Sequence, residues 1–238
     1  MNVEYLKWDS DFFGLKIGKV INNERIPKSE LKQLLNVAKA ENYSLIYVFT
    51  PEKEKISEEI LSETNSKLVD RKIVYSLNIE EKATENHPEI LDYSAEKLTD
   101  ELLELSYLSG HYSRFKSDKK LPNNAFQRLY KEWIEKSLNG VLADRVFVAM
   151  DSNKQIIGFV TLQIKESSAE IGLIAVSEKT QGKKTGTKLI DKCIQYLQEK
   201  SIKTLTVPTQ LENTQACKFY EKYGFTTHSI TNIYHFWI

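Results

Sequence analysis

Residues 170–225 read EIGLIAVSEKTQGKKTGTKLIDKCIQYLQEKSIKTLTVPTQLENTQACKFYEKYGF, and this stretch decides the fold. Its apolar start predicts a strand over Ala169–Val176, which a turn rich in glycine and lysine follows. An amphipathic helix is predicted over Lys183–Lys200, then a strand over Thr204–Val207 and a helix over Thr214–Lys222. The residues that give the first helix its apolar face are Leu189, Ile190, Cys193, Ile194 and Leu197.

The flanking segments extend this alternation in both directions. Strands are predicted over Val146–Asp151 and Ile156–Lys165, because two apolar runs are joined by the tight-turn sequence SNK. Helices over Glu96–Ser109 and Asn124–Leu138 precede them, and a strand over Thr226–Trp237 follows the decisive stretch. An antiparallel meander that leads into a β-α-β-α-β segment is a mixed α/β arrangement with α+β character.

A smaller α/β unit is predicted near the N-terminus. Its strands and helices are expected, in chain order, over Ile17–Ile21, Pro27–Asn42, Leu45–Phe49, Glu54–Asn65 and Lys67–Ile79. The following sequence EEKATENHP, residues 80–88, is charged and ends in proline, as linkers between domains often do. We therefore expect two units, residues 1–84 and residues 85–238.

Composition argues against several classes of protein. Lys+Arg and Asp+Glu number 33 each, so the formal net charge is zero, whereas nucleic-acid-binding domains are usually strongly basic. The two cysteines, Cys193 and Cys217, are too few for a disulfide framework and lack the spacing of metal ligands. The N-terminus does not resemble a signal peptide, and no apolar run approaches the ~18 residues of a membrane span. We expect a soluble, cytoplasmic protein without a metal.

The turn QGKKTGTK, residues 181–188, has the features of an anion site. A glycine-bearing loop at a helix N-terminus leaves backbone N–H groups free, and the helix dipole favours a negative group there. Lys183, Lys184 and Lys188 add positive charge, so a pyrophosphate would suit the turn. A plain polar turn before a surface helix explains the same residues.

Asn213 and Tyr220 have both an ordinary and a functional explanation. Alone, Tyr220 is typical of a core tyrosine, and Asn213 is a good N-cap for the helix that follows it. In order, however, the chain matches the pattern Asn-x-x-Ala-x-x-x-Tyr-x-x-x-Gly-Phe, and Gln181 and Gly186 fill the outer positions of Gln/Arg-x-x-Gly-x-Gly/Ala. This combination resembles the GNAT superfamily of N-acetyltransferases. Lys184 departs from it, because the family has a glycine there.

The resemblance implies the GNAT fold, with a mostly antiparallel central sheet flanked by helices and a partial GNAT-like unit before it. It also implies acetyl-CoA as acyl donor, attacked directly by a primary amine in a ternary complex. In the family, two neighbouring strands splay apart and bind the pantetheine arm of CoA. The residues that the resemblance assigns to acetyl-CoA are Leu173, Ile174, Val176, Gln181, Gly182, Lys183, Lys184, Thr185, Gly186, Thr187, Asn213 and Tyr220.

Three of the matched residues are candidates for catalysis. The backbone N–H of Ile174 would polarise the thioester carbonyl, and Tyr220 matches the general acid that protonates the CoA sulfur. Glu170 matches the general base of the histone-acetyltransferase branch. An ordinary solvated carboxylate at a strand end explains Glu170 equally well, and the amine could also lose its proton through water.

A narrower resemblance covers nearly the whole chain. The segments WDSDFFGLKIG, SRF and FQRLYKEWIEKSLNG look like the dTDP-fucosamine acetyltransferase family, which acetylates the 4-amine of nucleotide-linked 4-amino-4,6-dideoxy sugars for surface polysaccharides. The resemblance implies a nucleotide-linked amino sugar as acceptor. The balanced charge and the lack of a long apolar run predict no nucleic-acid or membrane partner. The acceptor-site candidates are Arg114, Phe115, Phe12 and His111. Arg114 could pair with a nucleotide phosphate, whereas an inter-domain core explains most of the aromatic residues.

Two other functions and the oligomeric state stay open at this point. The chain could acetylate a different small amine, such as an aminoglycoside, a polyamine or a peptide. It could also be a module that binds acyl-CoA without turnover, which only Lys184 favours. The apolar C-terminal sequence IYHFWI fits either a core strand or the edge of a homodimer.

Overall fold

A computed structural model describes residues 2–122, 124–180 and 182–238. It contains one ten-stranded sheet with helices on both faces, and the strands follow the order β1-β2-β3-β10-β4-β9-β8-β7-β6-β5. The strands are β1 Glu4–Tyr5, β2 Ile17–Ile21, β3 Leu45–Pro51, β4 Lys67–Asn78, β5 Ile90–Asp92, β6 Arg145–Met150, β7 Ile156–Lys165, β8 Ser168–Val176, β9 Thr204–Gln210 and β10 Thr226–Trp237. The helices are α1 Lys7–Phe13, α2 Lys28–Ala40, α3 Glu58–Glu63, α4 Asp100–Ser109, α5 Arg114–Ser117, α6 Ala125–Leu138, α7 Thr185–Glu199 and α8 Thr214–Tyr223, with a 3₁₀ turn at Glu178–Thr180.

The sheet is antiparallel except where β2 pairs with β3 and where β8 pairs with β9. The expected fold class, mixed α/β with a mostly antiparallel central sheet, is therefore confirmed. The strands β2, β7 and β10 have the predicted bounds, and the other predicted elements differ by a few residues at their ends. Sequence analysis missed β1, α1, β5 and α5, each of which has seven residues or fewer and so carries little periodicity.

The alternation of side chains along β6 shows how the two faces are covered. Val146 and Val148 pack under α4 and α6, whereas Phe147 and Ala149 pack under α7 on the opposite face. The apolar face of α7 is fully buried there, as its spacing predicted; its members Leu189, Ile190, Cys193, Ile194 and Leu197 are all 0% exposed. Each helix layer therefore covers one face of the same sheet.

The C-terminal strand β10 lies inside the sheet, between β3 and β4. Ile233, Tyr234 and Phe236 are buried there, so the sequence IYHFWI belongs to the core and not to a sheet edge. The hydrogen-bonded sheet is continuous across the expected boundary, because β4 pairs with β9 as well as with β10. The division into residues 1–84 and residues 85–238 stays a prediction.

Hydrogen bonds and an ion pair hold the polar segment between β4 and β5 against α7. The Gln195 side chain donates to the Glu85 carbonyl oxygen at 2.7 Å, and His87 Nε2 lies 2.8 Å from an Asp191 carboxylate oxygen. Lys188 forms an ion pair with Glu89 at 2.6 Å. This segment therefore fixes the helix that carries the predicted anion-binding turn. No helix among the described residues is long and apolar enough to cross a membrane.

Candidate active site

A cleft of about 220 Å³ opens beside β8 and β9, where strands and helices from both halves of the chain meet. The residues that line it are Asp70, Lys72, Ser109, Ser113, Arg114, Phe115, Tyr130, Trp133, Gly172, Leu173, Ile174, Val207, Pro208, Thr209, Gln210, Asn213, Ala216 and Tyr220. Six residues that the sequence assigned to different roles therefore share one cavity: Arg114, Phe115, Leu173, Ile174, Asn213 and Tyr220.

The strands β8 and β9 pair at one end only. Their parallel register runs from Ser168 opposite Thr204 to Glu170 opposite Thr206 and continues no further. Beyond that point, residues 172–174 of β8 and 207–210 of β9 line the cleft instead of pairing with each other. Such a wedge leaves backbone groups of both strands without a ladder partner, and those groups can bind an extended amide-containing chain.

An irregularity in the β7–β8 pairing changes the direction of β8 where this strand lines the cleft. The register shifts between Val160 and Leu162, so Gly172 and Leu173 form a bulge. The Leu173 N–H donates to Thr161 Oγ1 at 2.8 Å, and a Cβ on Gly172 would lie 3.0 Å from that same oxygen. The bulge therefore depends on the small residue at 172.

Tyr220, on α8, reaches the cleft from a buried position and is 3% exposed. Burial, together with the nearby Cys217 thiol, raises the pKa of the Tyr220 phenol. The phenol therefore keeps its proton at neutral pH, which is the form that a proton donor needs. The rings of Tyr75 and Phe225 lie 5.6 Å from the Tyr220 ring and restrict its orientation.

The geometry at Asn213 is compatible with both of its predicted explanations. Its side-chain oxygen accepts from the Ala216 N–H at 3.2 Å, so it is the N-cap of α8. It also lines the cleft. Because its oxygen is occupied by the cap, its amide N–H₂ is the group that remains for a ligand.

The turn before α7 fits a phosphate group. Gly182 has φ +82° and Lys184 has φ +61°, and no side chain in the described part of the chain caps the N-terminus of this helix. Among those residues, the first N–H groups of α7 therefore lack a side-chain acceptor, in contrast to those of α8. Thr185 is buried, and a Cβ on Gly186 would lie 3.1 Å from the Phe219 ring. Gln181, the first residue of the expected motif, lies outside the described residues.

One wall of the cleft contains buried polar atoms. Among the described residues, Asp70 Oδ1, Ser113 Oγ and Arg114 Nε are buried and have no hydrogen-bond partner. Asp70 is 6% exposed and Ser113 is 4% exposed. Buried polar groups are almost always hydrogen-bonded in folded proteins, so three unpaired ones around one cavity indicate a place for a polar ligand.

Asp70 carries the largest electrostatic perturbation in this wall. Its pKa is raised to about 7, mainly by burial and in part by the Glu212 carboxylate, whereas Arg114, Lys72 and the Gln210 side chain act in the opposite direction. Tyr130 faces the same cleft, and burial raises its pKa to about 12. Asp70 can therefore exchange a proton near neutral pH, while Tyr130 stays neutral.

Arg114 is held by aromatic rings. Its guanidinium lies 4.3 Å from the centroid of the Phe115 ring and 5.2 Å from that of Tyr47. The Phe115 ring in turn contacts Phe13 and Trp133, at centroid distances of 5.8 and 5.9 Å. This stacking orients the charge without using its N–H groups, and the Nε, which has no partner among the described residues, stays available for an anion.

Several predicted site residues do not line the cleft. Glu170 forms an ion pair with Lys165 at 3.1 Å, and Phe12 stacks on Trp8 at 5.1 Å. The exposed His111 has its Nδ1 2.8 Å from Lys116 Nζ. The other residues of this group are Val176, Gly182, Lys183, Lys184, Thr185, Gly186 and Thr187. The roles predicted for these residues stay predictions.

Sequence analysis missed Asp70 and Ser113. Asp70 lies one residue before Arg71, whose carbonyl oxygen accepts from the Leu211 N–H at the end of β9. The single available signal was a carboxylate within the otherwise strand-like segment Lys67–Asn78. Its burial depends on α5 and on β9, which are distant in sequence, so the segment alone did not reveal it. Among the described residues, no group of three or more metal-ligating side chains occurs.

Comparison with known proteins identifies a family. Residues 106–225 match the model of the acetyltransferase (GNAT) family. The chain is 30% identical over 139 residues to the spore coat polysaccharide biosynthesis protein SpsD of Bacillus subtilis, covering 58% of this chain and 47% of that protein. It is 29% identical over 129 residues to the dTDP-fucosamine acetyltransferase of Escherichia coli, covering 54% of each. The matches span about half the length of these curated relatives.

Solved structures share the fold at low sequence identity. A conserved protein of unknown function from Staphylococcus epidermidis superposes with a TM-score of 0.70 at 14% identity, covering 99% of this chain and 90% of that one. A tandem GNAT protein from the clavulanic acid biosynthesis pathway superposes with a TM-score of 0.55 at 11% identity, covering 87% and 68%. At these identities the likeness concerns the fold alone.

Proposed function

Because this chain belongs to the acetyltransferase (GNAT) family, we propose that it transfers an acetyl group from acetyl-CoA to the primary amine of a nucleotide-linked amino sugar. One observation carries the proposal: the cleft combines the wedge between β8 and β9 with a wall of unpaired buried polar atoms. A wedge alone would suit any acyl-CoA ligand. The polar wall adds a second, hydrogen-bonding ligand at the same point.

The size of the cleft supports an arrangement in which only part of each substrate lies inside it. A volume of about 220 Å³ is below the ~300–1,000 Å³ of pockets that enclose a whole drug-sized ligand. Only the reacting ends, a thioester and an aminosugar ring, fit inside it. The pantetheine arm then extends along the wedge toward the turn before α7, and the nucleotide extends outward past Arg114.

Acetyl-CoA supplies an activated acyl group. Residues of the chain hold the thioester and protonate the CoA sulfur. The backbone N–H of Ile174 is our candidate donor to the thioester oxygen, on which negative charge develops as the amine attacks. Tyr220 donates its phenolic proton to the CoA sulfur as the carbon–sulfur bond breaks. Tyr220 is buried and neutral, so it carries the proton that is donated.

The turn and the first residues of α7 are our candidates for the pyrophosphate of CoA. Two features support this role: none of the described side chains caps α7, and Gly182 and Lys184 have positive φ. Successive N–H groups in such a turn converge on one anion. The glycine that the family has at position 184 is replaced here by a lysine, whose backbone nevertheless adopts the left-handed conformation and keeps its N–H.

The acceptor is inferred from the polar wall and from the relatives. The Escherichia coli relative is named for acetylation of dTDP-fucosamine, and the Bacillus subtilis one for spore coat polysaccharide biosynthesis. Arg114, with an unpaired Nε, is our candidate for the nucleotide phosphate, and Phe115 orients it. Phe12 and His111 lie outside the cleft and are weaker candidates, for the distal part of the nucleotide.

Thermal denaturation with separate ligands tests the two halves of this proposal. A ligand at a hundred times its dissociation constant stabilises the folded protein by about 2.7 kcal/mol, which corresponds to roughly 5–10 °C for a chain of this size. We expect such shifts with acetyl-CoA and with a dTDP-linked 4-amino-4,6-dideoxy sugar, and none with an aminoglycoside. A shift with the aminoglycoside but not with the nucleotide sugar would contradict the proposed acceptor.

A further inference from the structure

Asp70 has an arrangement that acetyl-CoA binding does not explain. It lies on β4, on the same face of that strand as Lys72, and both side chains line the cleft. Its Oδ1 is buried without a hydrogen-bond partner among the described residues. A solvent-excluded carboxylate that faces a cavity with one oxygen unpaired is costly to maintain, so a ligand group that donates to it is expected.

We propose that Asp70 is the general base that removes a proton from the ammonium group of the acceptor. The inference rests on the proposed acetyl transfer, because only that reaction brings an amine into the cleft. Glu170, the base that the family resemblance suggested, forms an ion pair with Lys165 and does not line the cleft. Asp70 shares the cleft with Tyr220 and Ile174, so one acceptor amine can contact Asp70 while its attack reaches the thioester.

Two side chains transfer the protons of the reaction: Asp70 accepts one, and Tyr220 donates one and is later reprotonated. The acceptor ammonium gives one proton to the Asp70 carboxylate, and the resulting neutral amine forms the carbon–nitrogen bond. The carbon–sulfur bond breaks, and the sulfur takes the proton of the Tyr220 phenol. The second nitrogen proton then restores the phenol, and Asp70 releases its proton to solvent, so that the amide, free CoA and one proton are the products.

The charges around Asp70 suit this role. The pKa of its carboxyl is raised to about 7; burial is the main cause and Glu212 adds to it, whereas Arg114, Lys72 and the Gln210 side chain lower it. Tyr130 also faces Asp70 but is neutral at this pH. A base is active when deprotonated, so the activity that depends on Asp70 is present above pH ~7 and is lost as the pH falls below it.

The same titration gives a readout that needs no turnover. The pKa of Asp70 is raised in the folded state, so the folded protein binds this proton more tightly than the unfolded chain does. The stability associated with Asp70 is therefore present at low pH and is lost as the pH rises through about 7. Asp70→Asn removes the buried charge, and we expect it to raise the melting temperature by several degrees more at pH 8 than at pH 5.

The experiment compares Asp70→Asn, Asp70→Glu, Glu170→Gln and the surface control Glu80→Gln with the wild type. CoA release is measured with the best amine acceptor of the wild-type enzyme, as kcat from pH 5.5 to 9. General acid–base catalysis contributes about 10²–10⁴-fold, so we expect kcat of Asp70→Asn to fall by that factor and to lose its decline below pH 7. Asp70→Glu should recover part of the rate, and acetyl-CoA affinity should stay within about twofold in all four variants.

The possible outcomes distinguish a failure of Asp70 as the general base from a failure of the proposed acetyl transfer. If the wild type releases CoA and Asp70→Asn does so equally fast, Asp70 is not the base, although the reaction stands. A large loss in Glu170→Gln without one in Asp70→Asn overturns the inference in favour of Glu170. If the melting-temperature shift occurs while kcat is unchanged, the buried carboxyl is structural only. If the wild type releases no CoA with any amine, the proposed function itself is wrong.

Discussion

Two walls of the proposed binding site are built from different kinds of group. The backbone wall, which we define as β8 in the cleft together with the turn before α7 outside it, offers backbone N–H groups; they are left exposed by a strand wedge and by a helix that no side chain among the described residues caps. The wall formed by β4 and α5 offers side chains, with unpaired polar atoms on Asp70, Ser113 and Arg114. Backbone groups are the same in every residue, so the first wall suits a ligand common to a whole family. The second wall suits the substrate of one member.

This difference predicts how substitutions act. On the backbone wall, a change matters through shape, because side chains there mainly allow or block approach. On the side-chain wall, a change removes a specific charge or hydrogen bond. Tyr220 belongs to neither group, since it protonates the leaving sulfur in our proposal and should affect the rate alone.

Tyr220→Phe should have the largest effect. It deletes the proposed proton donor but keeps the ring that packs against Tyr75 and Phe225, so we expect kcat to fall by roughly 10²–10⁴-fold. The dissociation constant of acetyl-CoA should change less than threefold. Steady-state CoA release and calorimetric binding measure the two quantities. Tyr196→Phe, outside the cleft, is the matched control, and wild-type turnover in Tyr220→Phe would remove this residue as the acid.

Arg114→Gln should affect the acceptor and leave the donor unchanged. A hydrogen bond to a charged group contributes about 1.5–3 kcal/mol, so we expect KM for a nucleotide sugar to rise roughly tenfold to a hundredfold. The KM for acetyl-CoA should stay the same. Arg145→Gln, at the far side of the sheet, controls for loss of a surface charge. A rise in the acetyl-CoA KM instead would assign Arg114 to the opposite wall.

Gly186→Val should weaken acetyl-CoA binding by roughly tenfold, because overpacking of a tight contact costs about 1–3 kcal/mol. A Cβ at this position already lies 3.1 Å from the Phe219 ring, so the larger side chain must displace the turn or α8. Gly186→Ala provides a graded control, with a smaller expected loss. The dissociation constant of CoA is measured directly, and an unchanged value in the valine variant would show that the phosphate turn lies elsewhere.

Lys184→Gly should have the smallest effect. Glycine adopts the positive φ of this position without the steric cost of an L side chain, and the backbone N–H is kept. We expect CoA affinity to change less than about threefold. Lys183→Gly removes the neighbouring exposed charge and serves as the control. A tenfold loss in Lys184→Gly alone would mean that the lysine side chain, and not the backbone, holds the phosphate.

Much of the backbone wall follows from local sequence. The spacing from Asn213 to Tyr220 and the glycine turn lie in one contiguous segment, and the helix after that turn buries the apolar face that its periodicity predicted. The Asn213 cap was equally visible from residue type and position. These features needed no knowledge of distant parts of the chain.

The side-chain wall could be predicted only in part. Arg114 and Phe115 were found through resemblance, whereas Asp70 was missed because its burial is created by α5 and β9. The location of β10 between β3 and β4 was equally hidden, since an apolar strand fits a core or an edge until its neighbours are known. Long-range pairing, and not local propensity, decides both cases.

The central claim is that this chain acetylates a nucleotide-linked amino sugar, and CoA release with a panel of amines tests it most directly. The panel contains dTDP- and UDP-linked 4-amino-4,6-dideoxy sugars, an aminoglycoside, spermidine and a lysine peptide, each with acetyl-CoA. We predict turnover with a nucleotide sugar and none with the other amines. Turnover with the aminoglycoside, spermidine or the peptide alone would contradict the acceptor assignment. An absence of turnover despite measurable acetyl-CoA binding would contradict the proposed enzyme activity.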